Sequence, residues 1–131
     1  MVKITAQLIV EIAGFPREHV EEVMTKVVEK VKEEYEVIES FIQEPREVKE
    51  FWSSFVDIKM KFNSMEQLTG FCFEYMPSSV DIIEPVKFSL ESYELNNLFN
   101  DLMGKMHHYD LMLKNFRATN EMLKRKLEKK D

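Results

Sequence analysis

The residues from 92 to 130 constrain this chain most, because their apolar side chains repeat with the spacing of a coiled coil. The segment contains no proline and one glycine, Gly104. Its apolar positions step alternately by four and by three residues, which places them along one side of a helix. These ten residues, called the seam below, are Leu95, Phe99, Leu102, Met106, Tyr109, Leu113, Phe116, Asn120, Leu123 and Leu127. The spacing predicts a helix about 58 Å long whose seam is covered by a partner helix over residues 106–127.

Asn120 is the one amide in the seam, and it occupies the heptad position a, as Phe99 does. A buried Asn at that position fixes the register and favours two strands, because only a matched partner satisfies its amide. The seam therefore predicts a homo-oligomer, with a dimer favoured. For residues 92–103 we favour packing along the chain's own sheet, where they could cover its open face. One alternative stays open for the rest of the segment: Gly104 could end one helix and start a second that doubles back.

The earlier part of the chain alternates between strand and helix patterns. Residues 2–12 and 52–62 alternate apolar and polar side chains, which is typical of half-buried strands. Ser64 and Gln67 form a capping box at the start of a short helix. The predicted elements, in order, are a strand over 2–12, a helix over 16–32, a strand over 35–44, a strand over 52–62, a helix ending before Pro77, and a strand over 80–90.

This βαββαβ order resembles the ferredoxin-like superfold over residues 2–90. The resemblance implies an α+β sandwich whose antiparallel sheet has the order 4-1-3-2. Pro45 and Pro85 fall in or beside the second and fourth strands, which are the edges in that order, and edge strands tolerate proline. The chain is thus expected to comprise a ferredoxin-like domain, residues 1–91, and a C-terminal helix, residues 92–131, that oligomerises or packs on the open sheet face.

The open sheet face of such a sandwich should also be covered. Both helices would lie on one face of the sheet, and the other face would present Ile9, Phe55 and Ile83. Apolar side chains grouped in this way are seldom left to water. We therefore expect these three residues to belong to an interface.

Charge and cysteine content narrow the possible partners and the location. The net charge is −6; residues 1–100 carry a net of −9 and residues 101–131 a net of +3. An acidic body repels a phosphate backbone, so nucleic acid is not expected as a partner. Cys72 is the single cysteine, and the N-terminus does not read as a signal peptide. No uncharged run is long enough to span a membrane. These features predict a cytoplasmic protein, and abundant Glu and Lys with little Gln lean towards a thermophile.

Few residues suggest chemistry. His107 and Asp110 lie three apart, so they would share a helix face and could hold a metal with a third ligand. No third ligand is evident, and zinc sites need three or four. Cys72 lies on the apolar side of its helix without a neighbouring cation to make it a thiolate. We therefore expect no metal, no cofactor and no catalysis.

The sequence leaves three functions to compare. The first is a non-catalytic scaffold that assembles through its sheet face and C-terminal helix. The second is a small-ligand sensor, since the chain also resembles ACT-like modules, in which the turn after the first strand lies near the ligand; here that turn is residues 13–16. The third is an enzyme with a pocket between protomers. A superfold of this kind hosts many functions, so the choice rests on the site.

Overall fold

A computed structural model describes residues 3–129 of the chain. Its elements are β1 (Ile4–Gly14), α1 (Arg17–Glu34), β2 (Glu36–Ile42), β3 (Arg46–Val48), β4 (Phe51–Phe62), α2 (Met65–Tyr75), β5 (Ser79–Glu84) and α3 (Ser92–Glu128). The predicted first residue of the opening strand, residue 2, lies outside the described residues, as do residues 130 and 131. The boundary between two compact units falls between Ser89 and Leu90.

All strand pairs in the sheet are antiparallel, and the strand order is β2-β4-β1-β5. This order differs in detail from the predicted 4-1-3-2, because the sheet contains an additional strand. The short strand β3 forms where only a charged turn was predicted, and it pairs with β4 through Arg46 and Ser53. The central strands are β1 and β4, so β2 and β5 are the edges. Each edge carries two carboxylates, Glu36 and Glu39 on β2 and Asp81 and Glu84 on β5.

One hydrophobic core lies between the sheet and the first two helices. Alternate side chains of β1 and β4 point into it, as the sequence pattern predicts, because successive residues of a strand face opposite ways. The strands contribute Ile4, Ala6, Leu8, Val10, Val56, Ile58, Met60 and Phe62; α1 contributes Met24, Val28 and Val31; and α2 contributes Leu68 and Phe71. The core thus fixes which face of the sheet the two helices cover.

The start of α2 has the capping box that the sequence predicts, shifted by one residue on its second bond. Ser64 Oγ accepts a hydrogen bond from the backbone N–H of Gln67 at 3.1 Å. Gln67 Oε1 accepts from the backbone N–H of Asn63 at 2.7 Å, rather than from that of Ser64. Both bonds satisfy amides that have no partner inside the helix.

The fourth predicted strand, residues 80–90, is wrong at its C-terminal end. The strand that forms, β5, ends at Glu84, where it pairs with Thr5 of β1. Pro85 has no backbone N–H to donate to a ladder, so pairing stops before it. Val86 is 91% exposed, and Phe88 and Leu90 lie outside any strand.

The C-terminal segment is one continuous helix of 37 residues, α3. It is about 55 Å long at 1.5 Å per residue. The helix runs through Gly104 without a break, so the alternative in which Gly104 starts a second, returning helix is wrong. The structure describes every residue of α3, and none of them is buried.

Candidate assembly surface

The seam on α3 is an exposed apolar strip. The exposed fractions of its apolar side chains, apart from half-buried Leu102, are Leu95 40%, Phe99 55%, Met106 55%, Tyr109 42%, Leu113 52%, Phe116 63%, Leu123 53% and Leu127 68%. The strip extends about 48 Å along the helix. Soluble monomers rarely leave a contiguous apolar patch of this extent to water, so the strip is a candidate contact surface.

The period of the seam indicates what shape of partner covers it. The seam repeats every 3.5 residues, whereas a straight α-helix has 3.6 residues per turn. On a straight helix the seam therefore drifts around the axis by about 20° per heptad. A flat surface would lose contact with it over this length. A second helix that winds around the first stays in contact throughout, so the seam fits a helical partner.

The two metal candidates, His107 and Asp110, lie on the exposed surface of α3. The Nζ of Lys114 lies 2.9 Å from Oδ2 of Asp110. This hydrogen bond and the Lys114 charge hold the pKa of the Asp110 carboxyl below its usual value. Within residues 3–129, no group of three or more His, Cys, Asp or Glu side chains is arranged to hold a metal ion. Asp110 is thus part of a helix-surface ion pair.

The open sheet face places the predicted interface residues among polar neighbours. Ile9 and Phe55 are half-buried, and their cross-strand neighbours are Asp57 and Glu11 respectively. Ile83 is 41% exposed and lies where the register between β1 and β5 shifts. Phe41, which pairs with Asp57, adds a 66% exposed ring to this face, so the face mixes apolar and polar side chains.

Polar contacts organise the rest of the open sheet face. Ser53 Oγ donates to Glu11 Oε1 at 2.7 Å, and the side-chain amide of Gln43 donates to Asp57 Oδ2 at 3.2 Å. Lys59 follows Asp57 on the same face, since alternate residues of β4 share it. A mixed face of this kind resembles the rim of an interface more than its centre.

A cavity lies between α1 and the turn after β2. This cavity has a volume of about 350 Å³ and is lined by Arg17, Glu21, Thr25, Ile42, Gln43, Glu44, Pro45 and Ser54. Arg17 Nε donates to Glu21 Oε1 at 2.7 Å, and its guanidinium lies 5.2 Å from the centre of the Trp52 ring. The bond to Glu21 raises the pKa of Arg17. The cavity therefore presents an oriented cation already matched by a carboxylate.

The aromatic cluster between α1 and α2 has the character of a structural core. The ring of Phe71 lies 5.1 Å from that of Tyr35 and 4.8 Å from that of Tyr75. Burial raises the pKa of both tyrosines to about 12, and the negative charge of Glu74 adds to the effect. Burial also raises the pKa of the Cys72 thiol. These groups are thus held in their neutral forms, which disfavours a nucleophilic role.

Sequence reasoning missed the cavity and the aromatic cluster. The spacing of Arg17 and Glu21, four residues apart, was a local signal for their ion pair. The stacking of Arg17 on Trp52 had no such signal, because it depends on where β4 lies relative to α1. Similarly, Tyr35 and Phe71 are brought together by the packing of α2.

The fold defines an α+β protein with an antiparallel sheet and a long C-terminal helix that carries an exposed apolar strip. Within residues 3–129, no helix combines the length and the apolar character that crossing a membrane requires. The chain belongs to the MJ0538 family, whose sequence model matches residues 5–130 and so continues through α3. No curated protein and no solved structure is significantly similar to it.

Proposed function

We propose that this protein is a non-catalytic assembly protein, in which copies of the chain associate through the seam of α3. The observation that carries this proposal is the apolar strip, about 48 Å long, on a helix that buries none of its residues within the described chain. The preceding α+β unit, whose element order supports a ferredoxin-like arrangement, is the body attached to this helix. Its lone cysteine, Cys72, favours a reducing, cytoplasmic setting.

A second copy of the chain is the occupant that the seam fits best. An interface between identical helices is self-complementary, so one sequence supplies both surfaces. The heptad period requires a partner that supercoils, and α3 itself has that period. Asn120 adds a polar position that an identical helix can satisfy. The mixed sheet face around Ile9 and Phe55 would supply a smaller, secondary contact.

The test is the solution mass of the full chain, measured by light scattering over a range of concentrations. We expect a dimer for the wild type and a monomer for Phe116→Glu, because the substitution places a charge inside the seam. Leu111→Glu is the matched control: Leu111 is 60% exposed on the same helix but lies outside the seam. A monomeric wild type, or equal loss of mass in both variants, would refute the proposal.

Small-ligand sensing is the second candidate, and the cavity beside Arg17 favours it. A volume of about 350 Å³ is within the range that small molecules occupy. Arg17 and the carboxylates of Glu21 and Glu44 would suit a small molecule with both a carboxylate and an ammonium group. Free amino acids at millimolar concentration should then raise the melting temperature, and Arg17→Ala should abolish the shift. If free amino acids do not change the melting temperature, the ligand-sensing proposal is refuted and the assembly proposal is the one that remains.

A further inference from the structure

We infer that the two α3 helices pair in parallel and in register, so that each seam residue faces its own counterpart in the second copy. This inference rests on the proposed function and specifies the geometry of the same surface. Three features of α3 have different surroundings in a parallel and in an antiparallel pair. They are Asn120, the charged residues that flank the seam, and the net charge along the helix.

Asn120 discriminates between the two orientations. In a parallel pair its side chain faces Asn120 of the partner subunit, and each amide can donate to and accept from the other. An antiparallel pair with full overlap brings together residues whose numbers add to 222, because the seam spans residues 95–127. Asn120 would then face the partner's Leu102, which offers its amide no hydrogen bond. A buried amide without a partner is unfavourable, so the layer favours parallel helices.

The residues that flank the seam also favour the parallel pair, as Asn120 does. In a parallel pair, a residue at heptad position g lies near the residue five positions later in the partner. Lys105 then lies near the partner's Asp110, Met112 near the partner's Arg117, and Thr119 near the partner's Lys124. None of these pairs brings like charges together. In the antiparallel pair, Asp110 would lie level with Met112 of the partner subunit, so its attraction to the partner's Lys105 would be lost.

The distribution of charge along α3 favours the antiparallel pair instead, but it acts over longer distances. Residues 111–128 carry five basic and two acidic groups, a net of +3. A parallel pair brings two such halves side by side, whereas an antiparallel pair would set each against the more acidic first half. Exposed charges of this kind are screened beyond about 8 Å at physiological ionic strength. The repulsion is thus weak in the cell, and it gives the parallel dimer a distinctive salt response.

Disulfide cross-linking of two single-cysteine variants tests the orientation. Cys72→Ala removes the native thiol, and Phe99→Cys and Leu123→Cys are then made separately in that background. In a parallel pair each variant forms a disulfide with its own kind, and an equal mixture yields no Phe99→Cys to Leu123→Cys product. In an antiparallel pair each residue lies about 36 Å from its counterpart, far beyond disulfide reach, so only the mixture cross-links, in about half of the dimers.

The outcomes separate this inference from the proposed function. Efficient cross-linking of each variant alone, with a dimeric mass, supports the parallel pair. Cross-linking in the mixture only overturns it while leaving assembly through α3 intact. A dimer that cross-links in neither format overturns it as well, and the Phe116→Glu variant then decides whether α3 is the contact. A monomeric mass for the wild-type chain overturns the proposed function and this inference together. Cys72→Ala without an added cysteine is the control and should not cross-link.

The salt response gives a second, independent readout on the wild-type chain. Raising sodium chloride from about 0.05 M to about 0.5 M shortens the screening length severalfold. We expect the dimer dissociation constant to fall, because the repulsion between the two basic halves is screened. A rise in that constant with salt would mean that attraction between opposite halves holds the dimer, and it would contradict the parallel arrangement.

Discussion

Replacing one seam leucine by alanine should weaken the dimer by a predictable amount. Leu113 is 52% exposed on α3, so about half of its side chain remains to be buried by a partner. Leu113→Ala removes three carbons, worth about 2.4 kcal/mol when fully buried and about 1.2 kcal/mol for the part still exposed. Two copies contribute to a symmetric pair, which gives about 2.4 kcal/mol. The dissociation constant should therefore rise roughly 60-fold.

Leu111→Ala is the matched control for this measurement. Leu111 is 60% exposed and lies two residues before Leu113, but it points away from the seam. Both variants lose the same atoms and helix propensity changes equally, so only burial at the seam differs between them. Sedimentation equilibrium over a wide concentration range gives both constants. Similar effects of the two substitutions would refute the assignment of the seam as the contact.

Three further predictions concern the α+β unit. Phe71→Ala empties a fully buried site in the aromatic cluster and should lower the free energy of unfolding by about 3–5 kcal/mol, measured by urea denaturation at fixed chain concentration. A loss below about 1 kcal/mol would contradict the packing described. Ser64→Ala removes the acceptor for the Gln67 N–H and should cost about 1 kcal/mol in the same assay. Tyr35 and Tyr75 have folded-state pKa values raised to about 12, above about 10 in an unfolded chain. The stabilisation is fully present below pH 10 and is lost as the pH rises through 12. Tyr35→Phe should flatten this alkaline decline, and an unchanged decline would refute the linkage.

The strands with strong alternation were predictable because their burial is decided locally. In β1 and β4 every second residue enters the core, so the sequence pattern and the packing carry the same information. The start of α2 was predictable for a similar reason, since Ser64 and Gln67 satisfy nearby backbone amides. Interactions between neighbours in sequence need no knowledge of the fold.

The errors occurred where long-range pairing overrides a local pattern. The strand β3 is three exposed residues, and it exists because the chain turns at Lys49, with φ of 56°, and folds back along β4. Phe88 continues an apolar alternation, but Pro85 has already ended the ladder with β1. The stacking of Arg17 on Trp52 likewise depends on two elements that are distant in sequence.

The seam was found from the sequence because a period of 3.5 residues is itself a statement about the partner's shape. Its exposure in the folded chain could not be deduced in the same way. The sequence allowed Gly104 to break the helix, and only the continuous course of α3 removes that alternative. The apolar character of the open sheet face was harder to predict. It depends on which residues lie across the strands from Ile9 and Phe55, and this is known only once the strands are paired.

The carboxylates on the two sheet edges bear on how this protein avoids uncontrolled aggregation. An open edge strand with exposed apolar residues, such as Phe41 on β2, is a template for further strands. Glu36 and Glu39 on that edge would repel the same charges on another copy. Asp81 and Glu84 would repel a second copy of β5 in the same way. Growth of fibres along the sheet is thereby opposed while α3 remains open to association. Because this protection is electrostatic, high salt would weaken it at both edges at once, and fibrous aggregates would then start from the sheet rather than from the helix.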